Sequence, residues 1–349
     1  MQAYALMDEL LGRAAYDWLD AWVKEQKDGD KLLRIVIGNA GWAYELAGST
    51  HAMRTLAASE AGSREVAASA TAMREVAASA TAMREVAAVE NAVQEMIGTP
   101  EALATVVASA VAMNAIAASA VAMNAIAASA VAMNAIAASA VAREAIWGKA
   151  MAWGAISGSG MAVGKFVIGA AGLETAAYAD MEAVAASSVA MEAVAASSVA
   201  MEAVAASSVA MEAVAASTAA RQALWQSDTA LLALQNSPDA VQCLIDSPYA
   251  VRGETTSSSK TFEEEGTRLI LLRRWYSSTS EHDYLQWDRD GENLPGYGAR
   301  AVKYGEGYAS IGNGPGSNNS DANNVRACSG LRRDTWSTSS TLTVYYLPV

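Results

Sequence analysis

The residues best suited to coordination chemistry lie in the last quarter of the chain. Asp288, Asp290 and Asn293 offer oxygen atoms at a spacing that a hard cation such as Ca²⁺ can use. The same residues suit a simple Asp-Gly hairpin turn, and the Glu that closes a helix-loop-helix calcium site is missing. We therefore treat these three residues as a weak metal candidate and predict no bound metal or cofactor.

Few residues point to catalysis. His282 stands between Glu281 and Asp283, where it could act as a general base or as a metal ligand, but the only other histidine is His51. The sequence shows no Ser-His-acid set and no paired histidines. Two carboxylates that cleave a glycan stay possible, because any two acids can meet in a fold. We expect a protein that is not an enzyme, with glycan cleavage as the third choice.

Aromatic and amide side chains in Gly-rich segments are stronger candidates for binding. Tyrosine rings stack on the apolar faces of sugars, and their hydroxyls suit half-wet sites. Most aromatics of a β domain belong to its core, so only those beside glycines are expected to be exposed. The predicted receptor-binding residues are Tyr297, Tyr304, Tyr308, Asn313, Asn318 and Asn319.

A small β domain must position these residues. After Gly253 the composition changes, and we predict a polar linker over residues 253–260 and an all-β, sandwich-like domain over residues 261–349. Residues 291–319 are rich in Gly and Asn and are predicted to form turns and loops. The predicted strands are 267–276, 283–287, 299–304, 325–329 and 340–347.

Residues 30–252 follow a ten-residue repeat, seen most clearly as Met-Glu-Ala-Val-Ala-Ala-Ser-Ser-Val-Ala from Met181 onward. In a continuous α-helix, each ten-residue unit would be rotated by roughly 80° relative to the unit before it. The apolar residues would then be spread around the whole helix axis instead of forming one stripe. Ser or Thr recurs once per unit, and Pro follows it at Thr99, Ser237 and Ser247. Each unit is therefore predicted to be one short Ser-capped helix, with Met and the apolar residue three positions later buried.

Such short helices are marginal in water and must stack as a solenoid. Because Ala buries little area, we expect several identical chains, most simply three, to pack their tracts into an oligomeric shaft. Residues 1–29 read as a helical attachment segment. The Gly-rich residues 147–172 are predicted to form a joint, since Leu173 and Met181 are eight residues apart instead of ten.

A nine-residue segment, Gly158 to Phe166, superficially matches a phosphate-binding loop. In a phosphate-binding loop, a glycine lies five residues before the glycine of the Gly-Lys pair, but the residue five before Gly164 is Ser159. Phe166 stands where a Ser or Thr would hold Mg²⁺. We interpret it as a structural bend.

Composition excludes several classes of protein. The net charge of −13 leaves no basic stripe for phosphates, so nucleic acid is not an expected partner. Cys243 and Cys328 are far apart and are expected to be free thiols. Residues 102–142 carry no charge and are long enough to span a bilayer. Asn recurs there at the repeat position that holds a charged residue in other units. This favours a solvent-exposed helix face over a membrane span.

The repeats Ser-Ala-Val-Ala-Met-Asn-Ala-Ile-Ala-Ala and Ser-Ser-Val-Ala-Met-Glu-Ala-Val-Ala-Ala, with the closing Thr-Val-Tyr-Tyr-Leu-Pro-Val, resemble tail-fibre and related appendage proteins of tailed bacteriophages. This resemblance implies an N-terminal virion anchor, a repetitive trimeric shaft and a receptor-binding C-terminal tip. No receptor-contacting residue can be carried over, because the tip loops share no common motif.

Together these features predict a structural fibre or spike of a phage virion, assembled in the host cytoplasm. Its expected partners are copies of itself as a homotrimer, other tail or particle proteins, and a host-surface glycan or outer-surface protein. The alternative is a virion scaffold or decoration protein whose β domain docks to the particle.

Overall fold

The computed structural model describes residues 29–257, 259–277, 283–287, 307–310, 325–335 and 341–349. The chain divides into two compact units, residues 1–170 with 174–177 and residues 171–173 with 178–349. The described helices of unit 1 are α1 Gly29–Gly38, α2 Ala40–Gly48, α3 Thr50–Ala58, α4 Glu60–Ala68, α5 Ala70–Ala78, α6 Ala80–Ala87, α7 Glu90–Gly98, α8 Pro100–Val107, α9 Ala110–Ile116, α10 Ala120–Ala127, α11 Ala130–Ala138, α12 Ala140–Ile146, α13 Ala150–Ser157 and α14 Gly160–Ala170.

Unit 2 continues with helices and ends in strands. Its helices are α15 Met181–Ala186, α16 Ser188–Ala196, α17 Ser198–Ala205, α18 Ser208–Ala216, α19 Thr218–Gln226, α20 Asp228–Gln235 and α21 Pro238–Asp246. Its described strands are β1 Val251–Thr255, β2 Ser259–Ser277, β3 Asp283–Trp287, β4 Gly307–Ser310, β5 Arg326–Thr335 and β6 Thr341–Pro348.

The predicted capping by Ser is confirmed for most of the described helices, whereas Val89, Thr99 and Lys149 precede α7, α8 and α13 without a side-chain cap bond. Ser79, for example, has extended φ and ψ, and its Oγ accepts a hydrogen bond from the Ala82 N–H at 3.2 Å. The serines that cap helices in this way are Ser49, Ser59, Ser69, Ser79, Ser109, Ser119, Ser129, Ser139, Ser159, Ser187, Ser197, Ser207, Ser217, Ser227 and Ser237. Because each cap is extended, the helix axis turns once per unit.

Three helices complete one coil of the solenoid. Within each unit a helix packs on the third helix after it, as α2 does on α5 and α16 on α19. The capping serines connect the coils, because many of them also donate to a carbonyl 32 residues earlier. Ser79 Oγ lies 2.6 Å from the Ala47 carbonyl oxygen, and Ser237 Oγ lies 3.2 Å from that of Ala205. One hydroxyl thus satisfies the start of its own helix and the end of a helix in the preceding coil.

The apolar stripe is buried within a single chain. Met113 and Ile116 are at most 1% exposed, whereas Asn114 between them is exposed, as the repeat predicts. We expected identical chains to be needed for this burial; instead, three columns of helices from one chain enclose the core. The threefold arrangement therefore exists inside the protomer, and the homotrimer stays a prediction.

The repeat frame breaks later than expected. Residues 147–169 keep the ten-residue spacing through α13 and α14, whereas we predicted a loosened insert from residue 147. The break falls after Ala170, where Gly172 takes φ +77° and a short 3-10 helix covers Thr175–Ala177. Helix stacking resumes at Met181, behind an Asp180 cap. The boundary between the two units lies in this interval.

The described strands form one antiparallel sheet in the order β1-β6-β2-β5-β3-β4. β3 matches its prediction, β2 and β5 run beyond theirs, and β6 is displaced from its prediction by one residue. β1 and the start of β2 occupy most of the predicted linker 253–260, because Val251–Thr255 pairs with β6 along its whole length. β4 lies within the predicted loop region 291–319. The predicted strand 299–304 lies outside the described residues.

Both faces of the sheet are covered in its centre. Leu269, Leu271 and Val344 belong to one buried cluster, with Cys328, Leu331, Leu342 and Tyr346. Ile270, Leu272 and Leu347 alternate with these residues and are also fully buried. The helices α19 and α21 contact the strands β2, β5 and β6. The sheet therefore closes the end of the helical stack of unit 2. A helix does not follow Ser247-Pro248, because the chain leaves for β1 there.

Within the described residues, no single helix is long and apolar enough to cross a bilayer. Two sharply bent helix pairs, 110–127 and 188–205, reach the required length and apolarity only together.

Candidate functional site

The predicted receptor-binding residues belong to two connections that flank one edge strand. Trp287 of β3 pairs with Gly307 of β4, so residues 288–306 connect two neighbouring strands at the edge of the sheet. Tyr297 and Tyr304 are in this connection, with Asp288, Asp290 and Asn293, and all five lie outside the described residues. Asn313, Asn318 and Asn319 follow β4 and also lie outside the described residues. Tyr308 lies in β4, opposite Gln286, rather than in a loop.

The described residues offer no alternative metal site. They contain no group of three or more His, Cys, Asp or Glu side chains that could hold a metal ion. His51 is an exposed residue of α3, and His282 lies outside the described part. A cavity of about 10 Å³ beside Ser63 is lined by Met53, Leu56 and other apolar side chains and has room for about one water molecule.

The Gly158–Phe166 segment is a turn followed by a helix, as interpreted from its sequence. Gly158 ends α13, and Ser159 caps α14 through its bond to the Ala162 N–H. The Lys165 side chain is 4% exposed, and its Nζ donates to the Thr175 carbonyl at 2.7 Å. This lysine therefore holds the residues after α14 in place.

Each helical stack ends with the same substitution pattern. Arg143 and Arg221 stand at the Met position of their units, and each is followed four residues later by a tryptophan, Trp147 or Trp225. The Arg143 guanidinium donates to the Ala137 carbonyl, and that of Arg221 donates to the Ala215 carbonyl. Each arginine thus binds a free carbonyl at the end of the preceding helix, and burial lowers the pKa of both guanidinium groups.

In unit 2 this pattern creates the contact between helices and sheet. The indole Nε1 of Trp225 donates to the Cys328 carbonyl of β5 at 2.9 Å, and the ring is 9% exposed. Arg268 of β2 lies over the same ring, 4.9 Å from its centroid. Arg273 of β2 also reaches the Gln242 Oε1 of α21 at 3.3 Å. The sheet is therefore anchored on the last coil of its unit.

In unit 1 the equivalent tryptophan packs on aromatic rings instead. Trp147 meets Trp153 edge to face at 4.9 Å between centroids and stacks with Phe166 at 6.1 Å. Phe166 is fully buried, and Gly169 brings α14 against α11 so closely that a Cβ there would lie 2.1 Å from the Ala137 oxygen. Unit 1 therefore closes its stack with helical residues alone.

A half-buried polar pair joins β6 to β2. The Tyr346 hydroxyl donates to Glu263 Oε1 at 2.6 Å. Burial, reinforced by the nearby carboxylate, raises the pKa of Tyr346 well above its ordinary value. Glu263 precedes an irregular stretch of β2 in which Gly266 takes φ +90°. The pair stabilises this stretch, because the carboxylate accepts a hydrogen bond from the buried hydroxyl.

Exposed charge changes along the helical stacks. In the first described coils of unit 1, the exposed Arg34 and Arg54 pair with the largely buried carboxylates of Glu65 and Glu85, each 31 residues later on the next coil. Residues 102–142 carry no charge. In unit 2, Glu182, Glu192, Glu202 and Glu212 are all exposed, with one on each successive helix. The charge of the exposed residues thus differs from one section of the helical tract to the next, whereas the residue types at the buried positions are nearly constant.

No protein-family model matches the chain, and no curated protein matches it significantly. Sequence reasoning missed the roles of Arg143, Trp147, Arg221 and Trp225. Their signal was available, because each one breaks an otherwise repeated pattern at a buried position.

Proposed function

We propose that this chain is a structural fibre or spike component of a phage virion. Its helical tract serves as a spacer, and its C-terminal β domain binds a host-surface receptor, most simply a glycan. In this proposal the chain is not an enzyme, and its other partners are copies of itself and proteins of the tail or particle.

The observation that carries the spacer role is the uniformity of the repeat. Successive units bury the same positions, while the exposed residue after Met changes only in blocks from Arg to Asn to Glu. Selection for individual surface contacts would have diversified the units. Near-identical units instead suit a part whose length matters more than its surface chemistry.

The β domain supports the binding role by its topology. The strands β5 and β2 are fixed on the last coil through Trp225 and Arg273, whereas the edge strand β4 is joined to β3 and to β5 by connections of 19 and 15 residues. Loops on a rigid scaffold are the usual place for binding residues. Several copies on one particle would add avidity, so each site can be weak.

The scaffold or decoration role is favoured by one observation. Because three helices share each coil, ten residues advance a stack by only about 3 Å. The fourteen described helices of unit 1 would therefore extend roughly 45 Å, about a third of the length expected with one helix per layer. Such a short tract also suits a protein that sits on the particle surface.

A binding assay with the full chain separates these roles. We expect the purified protein to bind bacterial surface polysaccharides on an array and to block phage adsorption to cells. The Tyr297→Ala/Tyr304→Ala double variant should lose at least tenfold in apparent affinity, because it removes the proposed sugar-stacking rings. Tyr44→Ala is the matched control, since Tyr44 is 66% exposed on α2, in the other unit.

Other outcomes contradict the adhesin proposal. Binding to phage particles but to no polysaccharide or cell would establish the scaffold role. Equal losses for the double variant and Tyr44→Ala would exclude these tyrosines as receptor contacts. Release of reducing sugar from an arrayed glycan would show that the protein is an enzyme after all.

A further inference from the structure

The most unusual surface of unit 1 is a band without charge. We define the neutral collar as the exposed residues of α9, α10 and α11, which together make one complete coil. No Asp, Glu, Lys or Arg occurs between Glu101 and Arg143. Val111, Val121 and Val131 are 40%, 42% and 60% exposed, and the other exposed side chains of these helices are Ala and Asn.

This collar differs from the rest of the solenoid surface. Thr71 and Thr81 occupy the valine position in earlier units, and Arg74 and Arg84 occupy the asparagine position. In unit 2, Val189 is 66% exposed, but it is followed at one helical turn by the exposed Glu192. Exposed valine with no carboxylate on its own helix is thus a property of the collar among the described helices, and Lys149, the residue before α13, donates to Asn114 Oδ1.

We propose that the neutral collar is the surface through which copies of this chain associate side by side. Electrostatics favours a second copy as the occupant. At a net charge of −13, identical chains repel each other over most of their surfaces, and the exposed glutamates of unit 2 add to this repulsion. The collar is where two copies can meet without placing carboxylates opposite each other.

The collar is also self-complementary. An asparagine amide is both donor and acceptor, so Asn114 or Asn124 can pair with its own equivalent across a symmetric contact. Exposed alanines allow close approach of helices, and the valines supply the apolar area. The helices α9 and α10 both carry this full set, whereas α11 exposes Val131 and alanines because Asn134 is half-buried. Two faces of the coil therefore allow one copy to contact two others at once. This arrangement would serve a trimeric fibre, but it can be tested without receptor or virion.

The test is the mass of the full chain in solution. We expect wild-type protein to self-associate at about 100 µM in sedimentation equilibrium, because a contact of one coil is small for a stable interface. The triple variant Val111→Glu/Val121→Glu/Val131→Glu should weaken this association at least tenfold. The control Val189→Glu/Val199→Glu adds charge to equally exposed valines outside the collar and should leave association within twofold of wild type.

Three results would overturn the proposal. The first is a wild-type protein that stays monomeric at this concentration, and the second is an equal loss in the triple variant and its control. The third is flotation of the wild type with neutral phosphatidylcholine vesicles in place of self-association. If the triple variant loses helicity, the single variants Val131→Cys and Val189→Cys decide instead. Oxidation should link copies through Cys at 131 and not through Cys at 189. These outcomes are independent of polysaccharide binding, so either proposal can fail alone.

Discussion

The two helical stacks end with the same local pattern but against different neighbours. In both, an arginine replaces the buried methionine and binds the carbonyl six residues earlier, and a tryptophan follows it. Trp147 then packs on Trp153 and Phe166, whereas Trp225 donates to Cys328 of the sheet. The comparison teaches that the repeat builds the stack, while a few residues that depart from it determine what closes the stack.

The largest expected effect breaks the helical closure of unit 1. Gly169→Ala places a Cβ 2.1 Å from the Ala137 oxygen, so α11 and α14 must separate, at a cost of about 3 kcal/mol. The matched variant Gly154→Ala has open space around its Cβ and should stabilise α13 by about 0.5–1 kcal/mol. Urea denaturation followed by hydrogen exchange in α13 and α14 measures both changes. Equal effects of the two substitutions would contradict the close approach at Gly169.

The second prediction concerns the tryptophans themselves. Trp225→Phe removes the donor to the Cys328 carbonyl and weakens the contact with Arg268, so unit 2 should lose about 2 kcal/mol. Trp147→Phe keeps an aromatic ring against Phe166 and should cost less. Denaturation curves of the two variants make the comparison. A greater loss for Trp147→Phe would show that the two closures do not differ as described.

The third prediction tests the caps that both stacks share. Ser79→Ala loses a bond to the Ala82 N–H and another to the Ala47 carbonyl, so we expect a loss of about 2 kcal/mol. Val89 stands at a cap position with no side-chain cap bond, and Val89→Ser should gain about 1 kcal/mol. Thermal unfolding of the two variants gives the values. Stabilisation by Ser79→Ala would refute the double role of the serine hydroxyl.

The smallest effect concerns surface charge, in which the two units differ. Glu85→Gln removes the partner of Arg54, so unit 1 should become slightly less stable at low salt and unchanged at high salt. Glu202→Gln removes one exposed carboxylate from the middle of α17 in an acidic stack, so unit 2 should become slightly more stable under the same conditions. Melting temperatures in low and high NaCl separate the two. Shifts of the same sign would remove the proposed distinction.

Much of the helical structure could be predicted from the sequence because the repeat determines where each short helix begins and which of its residues are buried. The Ser caps, the buried Met and Ile, and the exposed residue after Met all follow from spacing. The number of helices per coil could not, since it depends on how each extended Ser residue orients the next helix. This is why we expected other chains to cover the apolar stripe.

The β domain was less predictable. Its central strands have strong alternation, as in Thr341 to Tyr345, and were found, whereas β1 was missed because Val251–Thr255 is polar and contains a glycine. Of the proposed receptor-binding residues, only Tyr308 lies in the described part, in β4. Loop sequences rich in Gly and Asn identify a candidate site without defining its geometry.

The most direct test of the account is a distance between two exposed positions in one column of helices. Gln94 of α7 and Gly154 of α13 are 60 residues apart, which corresponds to two coils. With spin labels at Gln94→Cys and Gly154→Cys, with Cys243 and Cys328 replaced and labelled protein diluted in unlabelled chain, double electron-electron resonance should give about 20 Å. A distance of about 50 Å or more, as expected for one helix per layer or for continuous helix, would contradict the three-helix coil.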